Sequence, residues 1–123
     1  MTALRIIFIL NIFVAGSVGV SALSSPKSAA LRVFSNAYPP SELSRLVGAL
    51  WIAIALVSIA GAFRPMTFST VLVIQLIYKG LWLILVALPA FNTEYPYPRA
   101  MAIFFAIWVF VLPFIIPWKT LFA

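Results

Sequence analysis

Gln75, Tyr78, Lys79 and Trp82 stand at i, i+3, i+4 and i+7 within "VIQLIYKGLW", Val73 to Trp82. That spacing places an amide, a phenol, an ammonium and an indole on one face of a helix. The ammonium and the indole only donate hydrogen bonds; the amide and the phenol donate and accept. The opposite face, Val73, Ile77, Leu81, Ile84 and Leu88, is apolar throughout. A face of this kind can meet an acid on another subunit or line a path for an anionic or polar ligand.

The run that carries this face extends from about Thr67 to Phe91, so Lys79 lies twelve residues from each end. At about 1.5 Å per residue this is about 18 Å, the middle of a bilayer. A charge there costs about 2.5–3.5 kcal/mol on insertion scales, and something must offset it. Acids are scarce. The chain has two, Glu42 and Glu94, both at or beyond the ends of apolar runs. Uncharged partners lie closer in depth: Asn11 in the first run, Ser58 in the second, and Gln75 one turn away. Three readings stay open for Lys79. It is satisfied within its own chain by Asn11, Gln75 or buried water; it pairs with an acid of another subunit; or it lines a cavity for a ligand.

The rest of the chain excludes most chemistry. It holds no His, no Cys and no Asp. Cysteine–histidine zinc sites, thiol chemistry, histidine-based triads and haem held by an axial His or Cys are therefore ruled out. Neither an enzyme nor a resident cofactor is expected. Of the 123 residues 65% are hydrophobic and 8% charged, and mean hydropathy is +1.18. A soluble domain carries about 25% charged residues. The net charge of +6 comes from eight basic residues spread singly along the chain, mostly flanking apolar runs as in membrane proteins. Lipid, not nucleic acid, is the implied partner.

Four apolar segments, about 4–23, 41–63, 67–91 and 98–118, approach the ~20 residues that cross a bilayer. The expected fold is all-α: four transmembrane helices in an antiparallel up-and-down bundle, a single integral membrane domain over 1–123. The first segment also has the outline of a secretory leader, with "MTALR" charged, "IIFILNIFVAG" apolar and Val20-Ser-Ala22 small; the spanning reading is taken here. Its small residues, Ala15 to Gly19 and Ser17 with Ser21, suit close helix approach. The connection "SSPKSAALRVFSNAYPP" has apolar residues at Ala30, Val33, Phe34 and Ala37, which suits a short interfacial helix or an irregular loop. Ser41 is the expected N-cap of the second span, with Glu42 at the positive end of its dipole. The short "FRPM" predicts that spans two and three are antiparallel neighbours. Tyr95 and Tyr97 suit headgroup depth, Pro98 a helix start, Pro113 a kink, and Trp118 with Lys119 an interfacial anchor. With an even number of spans, Arg5, Arg64 and Lys119 share one side, opposite Lys27, Arg32, Arg45 and Arg99. That near balance gives no orientation.

"LSRLVGALWIAIALVSIAGAF", "FSTVLVIQLIYKGLWLILVALPAF" and "AIFFAIWVFVLPFIIPW" resemble small four-helix bacterial membrane proteins with no assigned function. This resemblance covers about two-thirds of the chain and implies a multi-pass protein of the bacterial inner membrane. "TFST" at Thr67–Thr70 resembles a segment of the small fluoride-channel family, which also has four helices. That family's glycine cluster before the motif is replaced here by "AGAFRPM". Small multidrug exporters share the size but need an acid in the first helix, where this chain has Asn11. The leading expectation is a non-enzymatic accessory subunit of a membrane complex or a homo-oligomer. The alternatives are a small channel or carrier with a polar path through Asn11, Gln75, Tyr78 and Lys79, and a lipid- or pigment-binding protein using Trp51, Trp82 and Trp108.

Overall fold

The computed structural model describes residues 2–94 and 96–122. Tyr95, expected at headgroup depth, lies outside them. The described chain is helical, without strands. Helix α1 is Thr2–Ser24, α2 Pro26–Arg32, α3 Glu42–Phe63, α4 Thr70–Trp82, α5 Leu88–Thr93, α6 Arg99–Ile115 and α7 Trp118–Leu121. A π-helical turn, Leu83–Ala87, joins α4 to α5, and the three together form one helical run, Thr70–Thr93. Three helices are long and apolar enough to cross a membrane: α1, α3 and the Thr70–Thr93 run; α6 is a shorter apolar helix. Large apolar side chains such as Phe13, Leu43, Leu56, Ile84 and Phe110 point outward, the pattern expected where the surrounding medium is lipid.

The tightest packing joins α1 to α3. A Cβ added at Gly48 would sit 2.5 Å from the Leu23 nitrogen and 2.8 Å from the Gly19 carbonyl oxygen. One at Gly19 would sit 3.0 Å from the Gly48 carbonyl oxygen. Two glycines therefore set how closely these backbones approach. Gly16 faces Ala55, and Phe8 covers Gly61, so the pair runs antiparallel. Helices α4 and α6 form the second antiparallel pair: Tyr78 and Trp82 meet Phe105 edge-on, and Val71 and Leu72 share a core cluster with Leu112 and Ile116.

Several expectations require correction. The third span begins at Thr70, not Thr67, because Arg64–Ser69 is used in turns; the Phe68 N–H reaches Arg64 oxygen, and Ser69 Oγ donates to Met66 oxygen at 2.9 Å. Despite this short link, α3 and α4 meet sparsely, and a groove separates them. The close partners are instead the glycine-matched α1 and α3. Ser41 occupies the N-cap of α3, but its side chain makes no capping bond. The first connection does contain a helix, α2, capped by Ser25 Oγ, which accepts from the Ser28 N–H at 3.2 Å. That helix ends at Arg32, short of the apolar pattern. Ser35 and Asn36 take positive φ of 50° and 59°, and the Asn36 N–H closes back on the Ala30 carbonyl at 2.6 Å.

Proline shapes the other two irregularities. Pro89 has no N–H for the Leu85 carbonyl, and its ring would press on that group. The π turn just before it widens the helix there. Pro113 lies within α6, and the helix ends two residues later at Ile115, before Pro117. Since Pro117 cannot donate to the Pro113 carbonyl, the indole N–H of Trp118 does so at 2.9 Å.

Candidate functional site

Lys79 is 4% exposed, on the inner face of α4. Its Nζ donates to Gln75 Oε1 at 3.2 Å. The ammonium also lies 4.7 Å from the ring centre of Trp108, 5.2 Å from Phe105, 5.7 Å from Tyr78 and 5.9 Å from Phe104. Three of these rings come from one face of α6, where Phe104, Phe105 and Trp108 recur at helical spacing. A cation over an aromatic face gains about 0.5–2 kcal/mol, and a hydrogen bond to a charged group about 1.5–3 kcal/mol. Together these match the cost of a mid-membrane charge in order of magnitude. The described residues bring no carboxylate to it. Glu42 is exposed and lies 3.6 Å from Arg45 on the same helix; Glu94 is exposed beyond α5.

Two neighbouring amides have no such compensation. Asn11 is 2% and Gln75 1% exposed. Among the described residues nothing pairs with Asn11 Nδ2 or Gln75 Nε2. The orientation of Gln75 follows from Lys79: an ammonium only donates, so the carbonyl faces it and the NH₂ points elsewhere. Leaving a buried donor unpaired costs about 1–3 kcal/mol. The aromatic cage accounts for the lysine, but not for these two donors.

Asn11, Gln75 and Lys79 line one cavity of about 220 Å³ with Tyr78, Val14, Val18, Met101 and Arg32; the two unpaired amide nitrogens are themselves inaccessible. Arg32, exposed at the end of α2, stands at its mouth. Toward the other end, Leu4, Phe8, Leu72 and Leu112, none of which lines the cavity, pack into a nearly inaccessible core. The cavity is thus one-sided, opening toward the end of the molecule that holds Lys27, Arg32 and Arg99.

A second, larger cavity of about 980 Å³ is the groove between α3 and α4, lined by apolar side chains such as Val47, Leu50, Ala53, Ile54, Val57 and Ile74. Trp51, Tyr78, Met101 and Phe105 line both cavities. The Trp51 indole N–H donates to Tyr78 Oη at 3.3 Å across their shared wall.

Of the residues singled out by sequence, Asn11, Gln75, Tyr78 and Lys79 share the small cavity, whereas Trp82 lines only the groove. Ser58 is not a partner of Lys79; its hydroxyl donates to the Ile54 carbonyl at 2.7 Å. Within Thr67–Thr70, Ser69 is fully buried and used in the local turn. Sequence reasoning missed Arg32, Phe104 and Phe105. The "FFAIW" spacing held a signal for the two rings. Arg32 held none, because its place at the mouth depends on how α2 folds back against α1. No protein-family model matches this chain, and neither a curated protein nor a solved structure is significantly similar to it.

Proposed function

We propose that the chain crosses the membrane four times as an antiparallel bundle and binds an anionic ligand in the one-sided cavity at Lys79. This is the carrier form of a polar path through the bundle, and it is non-enzymatic. Helix α6 has 17 residues, the lower end of the spanning range. The observation that carries the reading is the set of polar side chains: Lys79, Asn11, Gln75 and Tyr78 line one cavity, both amides carry a buried NH₂ without a partner, an arginine stands at the mouth, and no described carboxylate lines it. An anion satisfies all of these groups at once. The packed apolar core around Leu72 and Leu112 at the other end of the bundle favours a carrier or binding protein over an open channel.

The test is tryptophan fluorescence of the protein in lipid nanodiscs, because Trp108 lies against the ammonium. Titration with acetate, chloride or phosphate is expected to give a saturable change in wild type and none in Lys79→Met. Equal responses in the two proteins, or a response to matched cations alone, would sink the reading. Steady ionic conductance in planar bilayers would sink the carrier form.

A second reading is an accessory subunit or homo-oligomer of the inner membrane. The near-even Lys and Arg counts of the two ends support it, since a partner would then set orientation. A detergent-solubilised chain of monomeric mass that co-purifies with no other protein removes it.

A further inference from the structure

The two cavities adjoin, and their chemistries are complementary. One is small, polar and rich in donors; the other is large, open along its length and apolar. Cavities of about 300–1,000 Å³ hold whole organic ligands. The groove, at about 980 Å³, lies at the top of that range. The pocket at Lys79, at about 220 Å³, falls below it and suits a head group. Only the side chains common to both stand between them, and the one hydrogen bond across that wall is Trp51 to Tyr78, 3.3 Å long.

We infer that the ligand is a single-chain amphiphile with a carboxylate head: the head lies among Lys79, Asn11 and Gln75, and the alkyl chain passes between Trp51 and Tyr78 into the groove between α3 and α4. This rests on the anion-binding reading above and names the ligand class. Charge selects the head. Lys79 is the one buried cation of the site, with Arg32 exposed at the mouth; a monoanion matches Lys79, whereas a phosphate monoester dianion would bring a second charge into the low-dielectric end of the pocket. Donor number agrees. A carboxylate has about four lone-pair sites, and Lys79 Nζ, the Tyr78 O–H, which the bond accepted from Trp51 leaves free, and, once the amides turn toward the cavity, Asn11 Nδ2 and Gln75 Nε2 can fill them. Helix α4 fixes the depth. Lys79 is nine residues from Thr70 and fourteen from Thr93, about 14 and 21 Å along the helix. The head would thus sit inside the hydrocarbon layer, far from its resting place at either surface, which is what moving such a lipid between leaflets requires.

The experiment is native mass spectrometry of the detergent-solubilised protein offered an equimolar mixture of palmitate, its methyl ester and hexadecyl phosphate. Acetate titration of the same samples by tryptophan fluorescence runs beside it. One palmitate per chain is expected, with ester and phosphate adducts lower by about tenfold or more, the factor that 1.4 kcal/mol supplies. Lys79→Met is expected to abolish the palmitate adduct. Ala53→Phe, at an exposed groove position outside the head pocket, is expected to lower palmitate occupancy by about tenfold and leave acetate binding unchanged. If acetate binds through Lys79 while palmitate gives no adduct, or gives one that Ala53→Phe does not alter, the amphiphile falls and the anion site stands. A preference for hexadecyl phosphate has the same consequence. If the ester binds as well as the acid and acetate has no effect, both readings fall.

Discussion

Lys79 and Gln75 form a two-residue test of whether the polar face serves the fold or a ligand. The 3.2 Å bond between them and the ring contacts of Lys79 offset a charge whose placement costs about 2.5–3.5 kcal/mol. Lys79→Met removes that cost together with its offsets. What remains is Gln75 Oε1 without a donor, so the variant should lose about 1–3 kcal/mol of stability. Gln75→Leu does the opposite, keeping the buried charge and removing its only hydrogen-bond acceptor among the described residues; it should lose about 3–5 kcal/mol. The double variant removes both problems. Apolar replacement of a buried charged group and its partner is often neutral or stabilising by about 1–4 kcal/mol. It should therefore be at least as stable as wild type while binding no anion. The assay is reversible unfolding in mixed micelles of dodecyl sulfate and mild detergent, followed by circular dichroism. A double variant less stable than either single one would refute the reasoning, because it would show that the polar face is retained for stability.

Asn11→Leu removes a buried orphan donor and should stabilise the fold by about 1 kcal/mol while weakening anion binding; the same unfolding assay and a fluorescence titration read both. Gly48→Ala forces a methyl against the backbone of α1 at 2.5–2.8 Å and should cost about 1–3 kcal/mol. Gly80→Ala, with nothing within 4 Å of the added methyl, should stay within about 1 kcal/mol of wild type, on the stabilising side. Ser25→Ala removes the cap of α2; amides of Ala29 and Ala30 should exchange faster, by the factor that about 1 kcal/mol gives. Arg32→Glu reverses the charge at the cavity mouth and should slow anion association in stopped-flow fluorescence by about tenfold at low salt, with the difference fading as the Debye length shortens.

The site was more legible in the sequence than the packing was. Gln75, Tyr78 and Lys79 were visible because i, i+3, i+4 periodicity is a property of one helix, and polar groups are conspicuous in an apolar run. The depth of Asn11 followed from counting residues. The π turn was hidden because Pro89 sits in an otherwise unbroken apolar segment, and its effect depends on how the preceding carbonyls are relieved. How closely each pair of helices packs was hidden for a different reason. A short link such as Arg64–Ser69 constrains the ends of α3 and α4, not the distance along their length. Glycines decide that distance: Gly19 matches Gly48, whereas Gly80 meets nothing within 4 Å, so α3 closes on α1 and leaves the groove beside α4.

That asymmetry in packing links the fold to the proposed transport of a ligand. The pair α1 and α3 is held by backbone contact at two glycines, a junction with no slack. The pair α4 and α6 is held by interleaved rings at Tyr78, Trp82 and Phe105. Between the pairs side chains fill the gap: Leu4 and Phe8 of α1 pack with Leu72 and Leu112 at one end, and the bond from Trp51 to Tyr78 is the one side-chain hydrogen bond that joins α3 to α4 among the described residues. Two units joined by side chains rather than by backbone contact can slide against each other more cheaply than either unit can deform. The donor pocket draws on both, with Asn11 from the first unit and Gln75 and Lys79 from the second. An anion bridging Asn11 to Lys79 would therefore tie the units together at the seam. On the proposed reading, ligand occupancy and the closure of the two pairs would be coupled by the same hydrogen bonds, and the orphan donors would be the cost the resting protein carries for that coupling.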